Sequence, residues 1–150
     1  MAMRAATALT GHMGLELNLR TERAADLDEL KAAIALHKQH RALLHDGELY
    51  RLDTASQHLA SGVVARDKSE ALFSFAYMTS DPHVLPGRLY FAGLDAARQY
   101  RIRLIWPEKW QAVKAPSLIE QLDLAGNGAV FTGAALMQAG MQLQIGRAHV

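Results

Sequence analysis

Cysteine is absent from the 150 residues. That excludes disulfides and thiolate metal sites, and it fits a reducing compartment, with the cytoplasm as the expected location. An excess of charge of one sign is missing too. The formal net charge is +1, so there is no electrostatic case for nucleic acid or an anionic membrane surface as a partner. No apolar run approaches the ~20 residues of a membrane span. The first residues carry no basic-then-apolar leader with a small-residue cleavage site. Proline is scarce, and its four copies fall in two places, Pro82 with Pro86 and Pro107 with Pro116, where they mark loops.

What is present is ample apolar material. Half of the residues are hydrophobic, enough for a core and against disorder. The length suits one ordinary domain, or a small domain plus a piece of another.

The stretch from Met3 to Leu52 organises the rest. Ala5–Leu9 is small and apolar and reads as a doubly buried strand, as in a parallel sheet. Gly11-His12-Met13-Gly14 breaks it, and Leu15, Leu17 and Leu19 then alternate with Glu16 and Asn18 in an extended period of two. One long helix follows. Asp26 with Glu29 three residues on resembles a capping box, and Gly47 supplies the expected left-handed stop. At 100° per residue, Leu27, Leu30, Ile34, His37, Arg41 and Leu44 share one face. Leu36 and Leu43 widen the apolar arc beyond the usual ~100° stripe, which predicts cover from two sides. Lys31, Lys38, Asp28 and Gln39 take the remaining face.

From Glu48 onward, short strands alternate with turn signals. Leu49–Leu52 is the first. Gly62–Ala65 and Ala71–Thr79 flank the charged turn Asp67-Lys68-Ser69-Glu70 as a hairpin. Arg88–Ala92 is a further strand, ended by Gly93-Leu94-Asp95. Tyr100, Ile102, Leu104 and Trp106 point one way while Arg101 and Arg103 point the other, the pattern of a sheet with one dry face. Ser117–Leu124 reads as a short helical turn. Gly128–Thr132 and Met141–Ile145 complete the strands around a turn or helix at Gly133–Gly140. The expected fold is mainly β, an antiparallel β-sandwich. Ile145–Val150 resembles a read-through sequencing adapter and is expected to be a non-native tail, so the chain reads as a fragment at both ends.

Chemistry is thin. His37, His40 and His45 lie on one helix, but their spacing is loose and matches no metal motif, so a histidine-rich, partly exposed helix is the expected reading. Asp26, Asp28 and Glu29 sit at a helix start, where carboxylates serve capping and the dipole. Glu16, beside the glycine turn, is the one acid near a plausible barrel mouth, and a solvent-facing role is expected for it. Gly11-x-x-Gly14 is too short for a phosphate loop and lacks its lysine. Arg101 and Arg103 read as ordinary solvation. Trp106 reads as core, whereas Trp110 suits either a packing lid or a contact surface. No cofactor, metal or catalytic residue is assigned.

GHMGLELNL, the helix with IALHKQHRALLHDG, YRL, GVVARDKSEALFSFAYM, LPGRLYFAGLD, YRIRLIWP and GAALMQAGMQL follow one another over Met3–Leu143. In that order they resemble the C-terminal part of bacterial α-galactosidases of glycoside hydrolase family 36. The resemblance implies that residues 1–46 hold the last strand (Met3–Leu19) and helix (Asp26–Asp46) of a catalytic (β/α)8 barrel. Residues 47–144 would be the C-terminal β-sandwich packed against it, with 145–150 as tail. It also implies retaining hydrolysis of terminal α-linked galactose, and an enzyme that is often a homo-oligomer. The family nucleophile is an aspartate in a Lys-Trp-Asp segment, and its acid/base is a second aspartate, both upstream of this block. Here Lys109-Trp110 is followed by Gln111, so no catalytic residue carries over and the piece is expected to be structural and inactive. The alternative from another class is a self-standing, non-catalytic β-sandwich module binding carbohydrate or a protein partner. A doubly buried strand at the start of the chain favours the first reading.

Overall fold

The computed structural model describes residues 2–54, 58–78, 87–106 and 121–142. Outside these lie Trp110 and the rest of the Pro107–Pro116 loop, the Ser80–Pro86 loop, the start of Ser117–Leu124, and the chain beyond Gln142, tail included.

The first element corrects the sequence reading. Ala2–Leu9 is a helix (α1), not a strand. Four of its eight residues are alanine, the strongest helix former and one depleted in strands. Ala5 and Leu9, one turn apart, are buried while Arg4 and Thr7 are exposed, which is the 3.6-residue period of a helix rather than cover on both faces. The expected barrel strand is therefore not at Ala5–Leu9. Residues 12–16 do run without helical or sheet structure, and no strand among the described residues pairs with them.

The long helix α2 spans Ala24–Asp46. It starts two residues before the expected Asp26, with Arg23 at its N-cap and no side-chain cap. Asp26 instead sits in the first turn and accepts a 2.6 Å hydrogen bond from Arg23 Nε. Leu30 and Ala33 of α2 and Ala5 and Leu9 of α1 are buried, and the two helices contact each other. Arg41, expected on the covered face, is exposed, because the buried line runs through Ala33 and on to Leu43. Asp28, Lys31, Lys38 and Gln39 are exposed as expected.

Gly47 ends α2, but in extended backbone (φ −74°, ψ 168°) rather than the left-handed region. What requires glycine is proximity. A Cβ there would lie 2.6 Å from Val63 Cγ1, 2.7 Å from the Leu43 carbonyl and 2.9 Å from that of Val64. The helix thus enters the sheet with its last turn pressed on the second strand.

Seven short strands follow: β1 Glu48–Arg51, β2 His58–Val64, β3 Ala71–Tyr77, β4 Arg88–Leu89, β5 Gln99–Ile102, β6 Ala129–Thr132 and β7 Met141–Gln142. They form three antiparallel sheets, β1-β2-β3, β4-β7 and β5-β6. The hairpin is where the charged turn placed it, in the register Val64↔Ala71 through His58↔Tyr77, with β2 starting four residues earlier than read. Arg88–Ala92 yields only a two-residue strand, paired with β7 in the register Leu89↔Met141. The dry and wet alternation holds at Tyr100, Arg101 and Ile102, and β5 ends there. Between β6 and β7, Ala135–Ala139 is a π-helical turn.

The three sheets share one core of Leu52, Val64, Leu89, Phe91, Leu94, Leu124, Leu136 and Met141. Phe73 stands edge-on to Phe91, ring centroids 4.9 Å apart, and joins the large sheet to the small ones. The turn at Asp67–Ser69 ties further elements together. Asp67 Oδ1 accepts from the Ser69 amide and hydroxyl. The Lys68 carbonyl accepts from Tyr100 Oη at 2.9 Å, and its Nζ reaches Glu48 at 2.9 Å. Gly93, at φ +79°, faces the Tyr50 ring so closely that an added Cβ would lie 2.4 Å from it.

Candidate functional site

A cavity of about 330 Å³ lies at the helical end, between α1, the segment 13–17 and α2. Arg4 and Ala8 line it from α1, Met13, Glu16 and Leu17 from the segment, and Leu30 from α2. Its wall is mostly apolar, with one cation and one carboxylate. Glu16, singled out by its place after the glycine turn, is here. Retaining glycoside hydrolysis needs two carboxyl groups about 5–5.5 Å apart, and Glu16 is the one acid in the lining.

Several other acids are engaged elsewhere. Asp26 is held on Arg23, and that hydrogen bond lowers its pKa below the ordinary carboxylate range. Glu48 is lowered by hydrogen bonds from Tyr50 and then Lys68, at 2.6 and 2.9 Å. Asp67 is lowered by the Ser69 hydroxyl and amide. Asp123 Oδ2 accepts from the Asn127 amide and side chain, both at 2.9 Å. Asp28 and Glu29 are exposed on the first turns of α2. These are anchors of turns and helix starts, not a reacting pair.

On α2, His37 and His40 are half-buried and His45 is exposed, as a partly exposed histidine-rich helix requires. His37 and His45 do meet, edge to face with centroids 6.3 Å apart, but the third ring is His12, 4.7 Å from His45, rather than His40. His37 Nδ1 lies 3.4 Å from the Leu9 carbonyl at the end of α1. His12 was invisible as a partner because its approach depends on α1 folding back along α2. Among the described residues no three His, Cys, Asp or Glu side chains stand so that together they hold a metal ion. Gly11 and Gly14 have open space around them, with no cradle for a phosphate. Arg101 is exposed and donates Nη1 to the Asn127 carbonyl, and Arg103 is exposed. Trp106 is half-buried. No helix among the described residues is long and apolar enough to cross a membrane.

Comparison with known proteins puts these features in a larger frame. The model of the glycosyl hydrolase family 36 C-terminal domain matches residues 58–148. An alpha-galactosidase of Escherichia coli is 41% identical over 106 residues, 70% of this chain and 15% of that protein. Among solved structures, an alpha-galactosidase of that family from Geobacillus stearothermophilus, in complex with 1-deoxygalactonojirimycin, superposes with a TM-score of 0.75 at 25% identity. It covers 97% of this chain and 17% of its own. The alpha-galactosidase of Lactobacillus brevis gives 0.71 at 25% identity, with the same shares. The chain therefore spans less than a fifth of the length of these relatives.

Proposed function

The chain belongs to glycoside hydrolase family 36, and on that premise we propose that it is the C-terminal portion of an alpha-galactosidase. The parent would remove terminal α-linked galactose from oligosaccharides with retention, as a cytoplasmic homo-oligomer. The observation that carries this is coverage. One superposition takes in 97% of the chain, helices and sheets alike, on an alpha-galactosidase, so both parts have counterparts in one larger protein.

Within that reading, residues 1–46 are the last unit of a (β/α)8 barrel. Support comes from residues 12–16, which are neither helical nor paired with any described strand, and include exposed Leu15 beside the cavity. A strand whose neighbours lie upstream has this character. The sheets beyond Gly47 act as a structural buttress, and the piece is inert by itself, since its cavity presents a single carboxylate.

The test is an assay of terminal α-galactoside hydrolysis by the 150-residue chain and by the same frame extended upstream. Turnover only in the extended protein is expected. Turnover by the 150 residues would overturn the structural role. An extended frame without activity toward any α-galactoside would overturn the parent reading and leave a non-catalytic module.

A further inference from the structure

The contact between the α1 turn and the end of α2 holds a feature that galactoside chemistry does not use. His12 and His45 are both exposed, and their rings are 4.7 Å apart with a 33° tilt. Two imidazoles bound at right angles to one ion, with metal–nitrogen bonds of about 2.1 Å, place their centroids about 4.6 Å apart. The spacing is therefore already that of neighbouring ligands. The 33° angle between the ring planes does not set the N–metal–N angle, and rotation about the terminal torsions is what turns one nitrogen of each ring toward a common point. The terminal torsion of histidine is broad enough to permit this.

The surroundings favour a cation. α1 ends at Leu9 and α2 at Asp46, so the negative ends of two helix dipoles converge on this spot. His37 stands edge-on to His45 and points Nδ1 at the Leu9 carbonyl, which walls the site on one side. The charged residues nearby in sequence are Arg41 and Asp46 on α2. Arg66, in the turn that follows β2, donates Nε to the Asp46 carbonyl. We propose that His12 and His45 form a two-imidazole clamp for a late first-row divalent cation, with water completing the shell, that fastens the α1 turn to α2. Borderline nitrogen ligands at right angles suit Ni²⁺ or Cu²⁺.

The experiment is calorimetric titration of the 150-residue chain with Ni²⁺ at neutral pH, repeated on His12→Gln, His45→Gln and His40→Gln. Expected is one equivalent bound by the wild type, release on acidification because imidazole must be neutral to ligate, and His40→Gln unchanged. Losing a direct ligand costs at least what losing an outer-sphere partner does, so each of the other two variants should weaken binding at least about tenfold. Matching helical circular dichroism shows that the variants fold. A Ni²⁺-dependent rise in melting temperature, present in the wild type and absent in both clamp variants, is the second readout. Binding that is undetectable in the wild type, or equal in all four proteins, overturns the clamp.

Discussion

Asp26 illustrates how one side chain can be read correctly as to region and wrongly as to role. Its carboxylate was expected to cap a helix start, whereas it lies three residues inside α2 and reaches back to Arg23. Since its pKa is lowered by that pairing, its contribution is present above the ordinary aspartate value near ~3.9 and is lost as pH falls through the lowered one. Asp26→Asn should therefore reduce the melting temperature at pH 7, and the difference from wild type should shrink as the pH is taken down below the ordinary aspartate range. A difference that persists in acid would mean that the ion pair is not the cause. Gly47 makes the complementary point. An added Cβ would meet Val63 and two backbone carbonyls at 2.6–2.9 Å, and the carbonyls cannot step aside, so Gly47→Ala should cost about 1–3 kcal/mol of overpacking, measured by urea unfolding.

At the scale of elements, period and turn chemistry located most strands, and burial decides which are energetically important. β4 is only two residues long, yet its Leu89 is 2% exposed at the centre of the core. Leu89→Ala should cost about 2–5 kcal/mol. Leu49 on β1 is 66% exposed, and Leu49→Ser should stay within about 0.5 kcal/mol of wild type. Equal losses in the two variants, by chemical denaturation, would show that Leu49 is covered in solution. The hairpin was legible because Asp67-Lys68-Ser69 is a turn by composition and the flanks are β-formers. α1 was not, because its run of small apolar residues was read for burial on both faces, and which face is covered is known only once its partner α2 is in place.

For the whole molecule, Leu15 and Leu19 are 45% and 51% exposed on the segment after the glycine turn, and Leu15 borders the cavity. If this is a barrel strand without its neighbours, the 150-residue chain should self-associate, eluting above the 16.5 kDa monomer. Leu15→Glu with Leu19→Glu should shift it toward monomer. A sharp monomeric wild-type peak with cooperative melting would count against the barrel reading, as association driven by exposed apolar surface would then be absent.

The sequence by itself determined the family, through ordered segments from Met3 to Leu143, together with the hairpin, the long helix and the largely β character beyond Gly47. These rest on local pattern, which neighbouring residues carry among themselves. Tertiary structure decided the rest: that Ala2–Leu9 is a helix laid on α2, and that three small sheets share one core. It also decided that Glu16 faces a cavity as its single carboxylate, and that His12 rather than His40 meets His45. Each of these depends on which distant surfaces come together, and burial and close approach are properties of the folded chain that no window of sequence contains.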